Sequence, residues 1–285
     1  MHPIRSSFAL LVFTILCLSS TVHAQDITCS LTDATGEGVP FANVYVPSAS
    51  KGTVSNMNGV FSLSLKQAAA DSIVTISCIG YETKKLALRG LLNGTITSIA
   101  LEAANYELAQ ATVVGSNLDY NSPTTLGNPK RNKSVTGGYT QDSTASAGME
   151  LGNLMKTKRN WMLDKAGFHI RGIGRDSMKF EVNVYNARKG FPDAEPINRK
   201  RIFLTVDSTM LTEPIMVDFS NQNIYGKGDF LVTLELLDDI NSTDYVSFPA
   251  NMKKGLSRYK SGAGKWRKAP FFMSVGIWAE VREAE

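Results

Sequence analysis

Short runs of alternating apolar and polar residues, broken by Gly, Asn and Asp, fill the stretch from Asp26 to Leu101. A period of two marks strands with one buried face. The predicted strands are Asp26–Thr32, Ala42–Val46, Gly52–Ser55, Val60–Leu65, Ser72–Ile79, Lys84–Leu88 and Ile96–Leu101. Asn58-Gly59 predicts a hairpin with a type I′ turn, whose two central residues both need positive φ. The pattern returns further along. Met178, Phe180, Val182 and Val184 alternate with Lys179, Glu181, Asn183 and Tyr185. Ile202, Leu204 and Val206 repeat it, as do Phe230, Val232, Leu234 and Leu236, and Phe271, Met273, Val275, Ile277, Ala279 and Val281 fall on one face of the last strand. Ser116–Gly148, rich in Asn, Ser, Thr, Gly and Pro, has the composition of a linker. The expected fold is therefore all-β. An antiparallel sandwich over residues 25–102 is followed by a connecting strand and polar linker over 103–134. A larger antiparallel sandwich, jelly-roll-like, is expected over 135–285.

Three phrases carry a family resemblance. They are Thr35-Gly-Glu-Gly-Val-Pro-Phe-Ala-Asn-Val-Tyr-Val46, Lys51-Gly-Thr-Val-Ser-Asn-Met-Asn-Gly-Val-Phe-Ser-Leu63 and Asp71-Ser-Ile-Val-Thr-Ile-Ser-Cys-Ile-Gly-Tyr-Glu82. Their order resembles the carboxypeptidase regulatory-like domain, a transthyretin-like sandwich of exported proteins in Bacteroidetes-type bacteria. The resemblance implies an accessory module without an active site. In proteins similar to this one, a strand like Asn105–Gly115 follows that domain and leads into the plug of an outer-membrane receptor. Phe180-Glu-Val-Asn-Val-Tyr185 and Gly228-Asp-Phe-Leu-Val-Thr-Leu-Glu235 resemble an uncharacterised sandwich found after such modules, which implies no function.

The first residues add a compartment. Arg5, the apolar run Phe8–Leu18 and the small residues ending Val22-His23-Ala24 read as a secretory signal peptide over 1–24, cleaved before Gln25. The run is shorter than the ~20 residues a spanning helix needs, and no later segment reaches that length. The expected location is the periplasm or surface of a Gram-negative cell. The formal net charge is +4, and the Lys and Arg responsible lie along the whole chain, so no nucleic-acid footprint is expected.

Candidate chemistry is sparse. Beyond the leader only His169 remains, too few for a two-His, one-Glu zinc site. Gly255-Leu-Ser257-Arg-Tyr259 has Tyr where a nucleophile elbow needs its second Gly. Gly262-Ala-Gly264-Lys265-Trp266 lacks the spacing of a phosphate loop, and Asp238, Asp239 and Asp244 lack the ligand order of a calcium loop. No catalytic residue, cofactor or metal is expected. Trp266, Trp278 and Tyr259 are the candidate ligand-contacting aromatics, with Trp278 off the apolar phase of its strand and so expected to be exposed. Cys29 and Cys78 both fall on inward phases, where they form either a disulfide or two buried free thiols. The expected role is non-catalytic, a structural or binding part of the cell envelope whose partner is an envelope protein or glycan. The competing readings are carbohydrate binding or adhesion through the second sandwich, and a hydrolase or peptidase with an unfamiliar site.

Overall fold

The structure is a computed structural model that describes residues 25–49, 51–65, 69–104, 118–131, 135–140, 148–193, 195–238, 244–252, 254–260 and 265–284. The proposed leader, all of Asn105–Gly115, and Asp239 lie outside these residues.

The N-terminal strands are β1 Gln25–Thr32, β2 Asn43–Val46, β3 Lys51–Val54, β4 Val60–Leu65, β5 Ile73–Ser77, β6 Lys84–Ala87 and β7 Ser98–Ala100. They form two sheets, β4-β1-β7 and β3-β2-β5-β6. All pairings are antiparallel except β1 with β7, which run parallel. The inward phase of each strand supplies one core, with Ile27, Cys29 and Leu31 on β1 packing with Val44, Val46, Phe61, Leu63, Val74 and Ile76. The β-branched residues at these positions suit a pleated, half-buried surface.

The turn after β3 differs from the expected type. Gly59 alone has positive φ (76°), and its N–H donates to Asn56 O at 2.9 Å, while Asn56 N–H donates to Val60 O at 2.8 Å. Met57 and Asn58 are the central residues, and Gly59 follows in the left-handed region, a type I turn with a glycine bulge rather than type I′. A Cβ on Gly59 would lie 2.3 Å from Leu31 O and 2.7 Å from Val39 N. Gly59→Ala is therefore expected to destabilise the fold by roughly 2 kcal/mol or more, read as a lower urea midpoint. An unchanged midpoint would contradict the turn geometry.

The remaining strands are β8 Thr124–Gly127, β9 Val135–Thr140, β10 Glu150–Met155, β11 Asn160–Phe168, β12 Gly172–Ile173, β13 Ser177–Arg188, β14 Phe191–Pro192 and β15 Phe203–Asp207. They continue with β16 Ile215–Asp218, β17 Tyr225–Lys227, β18 Phe230–Leu236, β19 Tyr245–Asn251, β20 Ser257–Lys260, β21 Arg267–Lys268, β22 Ser274–Val275 and β23 Ile277–Ala284. Three antiparallel sheets result, built on β13-β18-β10-β20, on β16-β11-β23-β8 and on β12-β19-β22. One core joins them, including Leu163, Phe168, Phe180, Val182, Phe230, Val232, Leu234, Phe248, Ile277 and Val281. Within the segment read as connecting, Thr124–Gly127 forms β8 along β23, and the buried Asn128 donates its Nδ2–H to Ser274 O at 2.8 Å. Phe271 is not on the last strand. Pro270–Phe272 forms a 3-10 turn, Phe271 is 70% exposed, and the strand pattern resumes at Ser274.

Candidate functional site

Strands β13, β18, β10 and β20 lie side by side, and their apolar phase faces the large core. The opposite phase carries an unusual register. Glu181 pairs with Glu235, Glu235 with Glu150, and Glu150 with Lys260. Adjacent strands are about 4.8 Å apart, so three carboxylates and one ammonium form a single row across the sheet. Like charges directly opposite one another destabilise a sheet unless something compensates them.

The row is buried, with Glu150 0%, Glu181 3% and Glu235 3% exposed. Compensation comes from both ends and from above. At one end Lys260 Nζ lies 2.8 Å from Glu150 Oε2. At the other, Arg201 grips Glu181 through both oxygens, Nε to Oε1 at 2.7 Å and Nη2 to Oε2 at 2.6 Å, a bidentate pair. Between them, Asn183 donates from Nδ2 to Glu235 Oε2 at 3.0 Å and to Glu150 Oε1 at 3.2 Å, Tyr185 donates its hydroxyl to Glu150 Oε2, and Thr233 donates to Glu150 Oε1.

The cover comes from the N-terminal sandwich. Asn43 on β2 donates its Nδ2–H to Glu235 Oε1 at 2.8 Å. Arg201 reaches the same sandwich, donating from Nη1 to Pro40 O at 2.6 Å and from Nη2 to Phe41 O at 2.8 Å, with Cys78 Sγ 3.1 Å from Nη1. One guanidinium thus satisfies a buried carboxylate on one body and two backbone carbonyls on the other. Phe41 and Phe203 pack beside it at 5.1 Å between ring centroids, and Arg201 lies 4.7 Å over the Phe203 ring. A cavity of about 70 Å³ remains between the bodies, lined in part by Asn43, Cys78, Glu181, Asn183, Arg201 and Glu235. Asn183 Oδ1 is buried with no hydrogen-bond partner among the described residues.

The electrostatics follow from burial. Two cations face three carboxylates, so one negative charge is in excess. Desolvation pushes Glu235 up to about 7 against the pull of Lys260, with Glu150 and Glu181 adding to the rise. Desolvation also raises Glu181, although Arg201 opposes it. Burial alone would lower Lys260, but Glu150 and Glu235 more than offset it and hold the ammonium charged. Burial pushes the Cys78 thiol up to about 11, so it is a neutral thiol rather than a nucleophile at neutral pH.

The aromatics named from the sequence do not gather here as a platform. Trp278 is buried, not exposed, because Gly167 opposite it on β11 leaves room for the indole. A Cβ at Gly167 would lie 2.1 Å from that ring. Trp266 is half-buried, with its ring edge-on to Tyr185 at 5.9 Å and Lys260 Nζ 5.3 Å away, so it flanks the row without facing solvent fully. Tyr259 is half-buried against the large core. His169 is buried beside Trp278 and bonds Pro129 O through Nε2 at 3.1 Å. Desolvation lowers its pKa. Ser257 is buried, donating to Asn153 Oδ1 at 2.8 Å and accepting from Val275 N–H at 2.9 Å. Asp238 accepts from Lys179 N–H and Asp244 pairs with Arg175, and no metal cluster is found among the described residues. Of the two readings of the cysteines, the structure has the free thiols, with Cys29 buried and Cys78 half-buried. Cys29 lies within the N-terminal core, whereas Cys78, just past the end of β5 at Ser77, is half-buried at the edge of that core with its thiol against Arg201.

Comparison with known proteins places the N-terminal part. Residues 27–114 match the CarboxypepD_reg-like domain. Pro40, Phe41, Asn43 and Cys78, the groups that meet Arg201 and Glu235, all belong to the matched CarboxypepD_reg-like stretch. The same region is 38% identical over 78 residues to the TonB-dependent receptor SusC of Bacteroides thetaiotaomicron, covering 27% of this chain and 8% of the receptor. The chain therefore spans less than a tenth of that relative. Among solved structures, the cysteine protease and lectin-like domains of Cwp84, a surface layer associated protein of Clostridium difficile, align over 54% of this chain and 37% of that one at 12% identity and TM-score 0.35. An infectious bursal disease virus structure aligns over 91% and 64% at 8% identity and TM-score 0.19.

Proposed function

We propose that this protein is an exported, non-enzymatic component of a bacterial cell envelope, in which the CarboxypepD_reg-like domain is an accessory seated on a larger β body that binds an envelope partner. One observation carries the reading. A dense set of ionisable groups is spent on holding the domain to the body, with Arg201 and Asn43 bridging the two, and the hydroxyls that meet a carboxylate there, Thr233 and Tyr185 on Glu150, are buried. The match to a TonB-dependent receptor over the same domain supports an envelope setting, and the pattern Arg5, Phe8–Leu18 and Val22-His23-Ala24 supports export. An envelope protein is the better-supported partner, since Trp278 is unavailable for stacking on a sugar ring.

Two measurements test this. Fractionation of the native host is expected to recover the chain with the envelope, and a cytoplasmic pool alone would refute export. Incubation with mixed peptide and ester substrates is expected to give no turnover above background. Zinc-dependent cleavage lost in His169→Ala would replace the binding role with a peptidase.

A further inference from the structure

Between Tyr245 and Ala279 the chain has seven Lys and Arg residues and no Asp or Glu. Arg258 and Lys260 are turned inward, but Lys254, Lys265, Arg267 and Lys268 are exposed. The fold gathers three of these exposed cations, Lys254, Arg267 and Lys268, around one turn. β20 pairs with β21, Gly255 N–H donates to Phe272 O at 2.7 Å, and Ser257 N–H donates to Met273 O at 3.0 Å. Lys254 is thus held beside Phe272, and Arg267 and Lys268 enter the turn directly. At its tip Phe271 and Phe272 are 70% and 77% exposed, more than any other large apolar side chain among the described residues, and Met252 near the same edge is 49% exposed. Both phenylalanines hold left-handed backbone (φ 56° and 51°), a conformation bulky residues rarely adopt. The backbone of the turn is fastened while its two rings project into solvent.

We propose that the Phe271–Phe272 turn, with its rim of Lys254, Arg267 and Lys268, docks the protein on an anionic lipid surface. Adjacent aromatic rings beside cations suit the boundary between headgroups and acyl chains, where rings lose water and the cations meet lipid phosphates. The absence of acidic residues over the whole segment removes the repulsion such a surface would otherwise exert. A bilayer also needs no matching groove, which fits two rings that project side by side. This inference does not depend on the role proposed above.

The test is co-sedimentation of the full chain with vesicles of phosphatidylglycerol mixed into phosphatidylcholine, against phosphatidylcholine alone. The apolar run Phe8–Leu18 is common to parent and variants, so its effect cancels between them. The parent is expected to prefer the anionic vesicles and to lose that preference as salt is added. F271N/F272N is expected to bind at least ~10-fold more weakly with an unchanged melting curve, since Asn tolerates left-handed backbone. K254E/R267E/K268E is expected to abolish the preference for anionic lipid, which keeps the proposal testable should the first variant misfold. Undiminished vesicle binding by either folded variant would overturn it. So would a parent that ignores vesicles but self-associates through Phe271 and Phe272, which would make the turn a protein interface.

Discussion

Replacing Arg201 with Met is expected to destabilise the protein by about 3–5 kcal/mol, because it leaves Glu181 buried without its partner. The Arg201 and Glu181 side chains are only 15% and 3% exposed, so solvent does little to screen the loss. The same substitution also strips the donors from Pro40 O and Phe41 O, which face the interior of the interface. Arg201→Lys is expected to recover part of the loss, since an ammonium keeps the charge but cannot form the two-pronged contact with Glu181. Urea unfolding at neutral pH measures both. A double variant, Arg201→Met with Glu181→Gln, should be more stable than Arg201→Met alone, because it removes the stranded charge. Loss of the guanidinium should also open Cys78 to a thiol reagent, since Arg201 lies against its sulfur. A change below about 1 kcal/mol in Arg201→Met, with Cys78 still protected, would show that Arg201 does not hold the two bodies together.

The strands were largely legible because their signal is local. β4 is bounded as the alternation predicts, and β1, β2, β3, β5, β6 and β7 differ by a few residues at their ends. Phe271 shows the limit of that signal: it shares the phase of Val275 and Ile277, but Pro270 and the left-handed backbone turn it out of the sheet. Trp278 fails for a different reason. It does lie off the apolar phase of its strand, yet the face it occupies is closed by Gly167 and His169. The charged row was visible only as scattered residues. Glu181 and Glu235 sit off the apolar phase, as surface residues normally do, and no local pattern marks their burial. Their adjacency depends on the pairing order β13-β18-β10-β20, and their burial depends on a second sandwich more than a hundred residues earlier. A faint signal did exist. Asn183 and Thr233 share the outward phase with those glutamates, and a polar phase shared by neighbouring strands is what a covered polar interface requires.

Stability is expected to fall as pH rises through the Glu235 titration. In the unfolded chain this carboxyl titrates near its ordinary 4.5, whereas in the folded protein desolvation lifts it to about 7. Between those values the folded state keeps a proton that the unfolded state has released. Stability is therefore fully present below the unfolded value and lost as pH climbs through the folded one. A gap of about 2.5 units at 1.36 kcal/mol per unit corresponds to about 3 kcal/mol. The raised Glu181 acts in the same sense. His169 acts in the opposite sense, because its folded value is lowered from 6.5, so it favours the fold as pH rises toward that value. Asp33, Asp207 and Asp218, all lowered, act below the ordinary Asp range and leave this window alone. Glu235→Gln isolates the effect, since it keeps the acceptor for Asn43 and carries no titrating proton. The stability difference between wild type and this variant should change by about 2.5 kcal/mol between pH 5 and pH 8, with the variant gaining on the wild type as pH rises. A difference that stays flat over that range would mean that Glu235 is already ionised in the fold, its charge fully compensated by Lys260, Arg201 and Asn43.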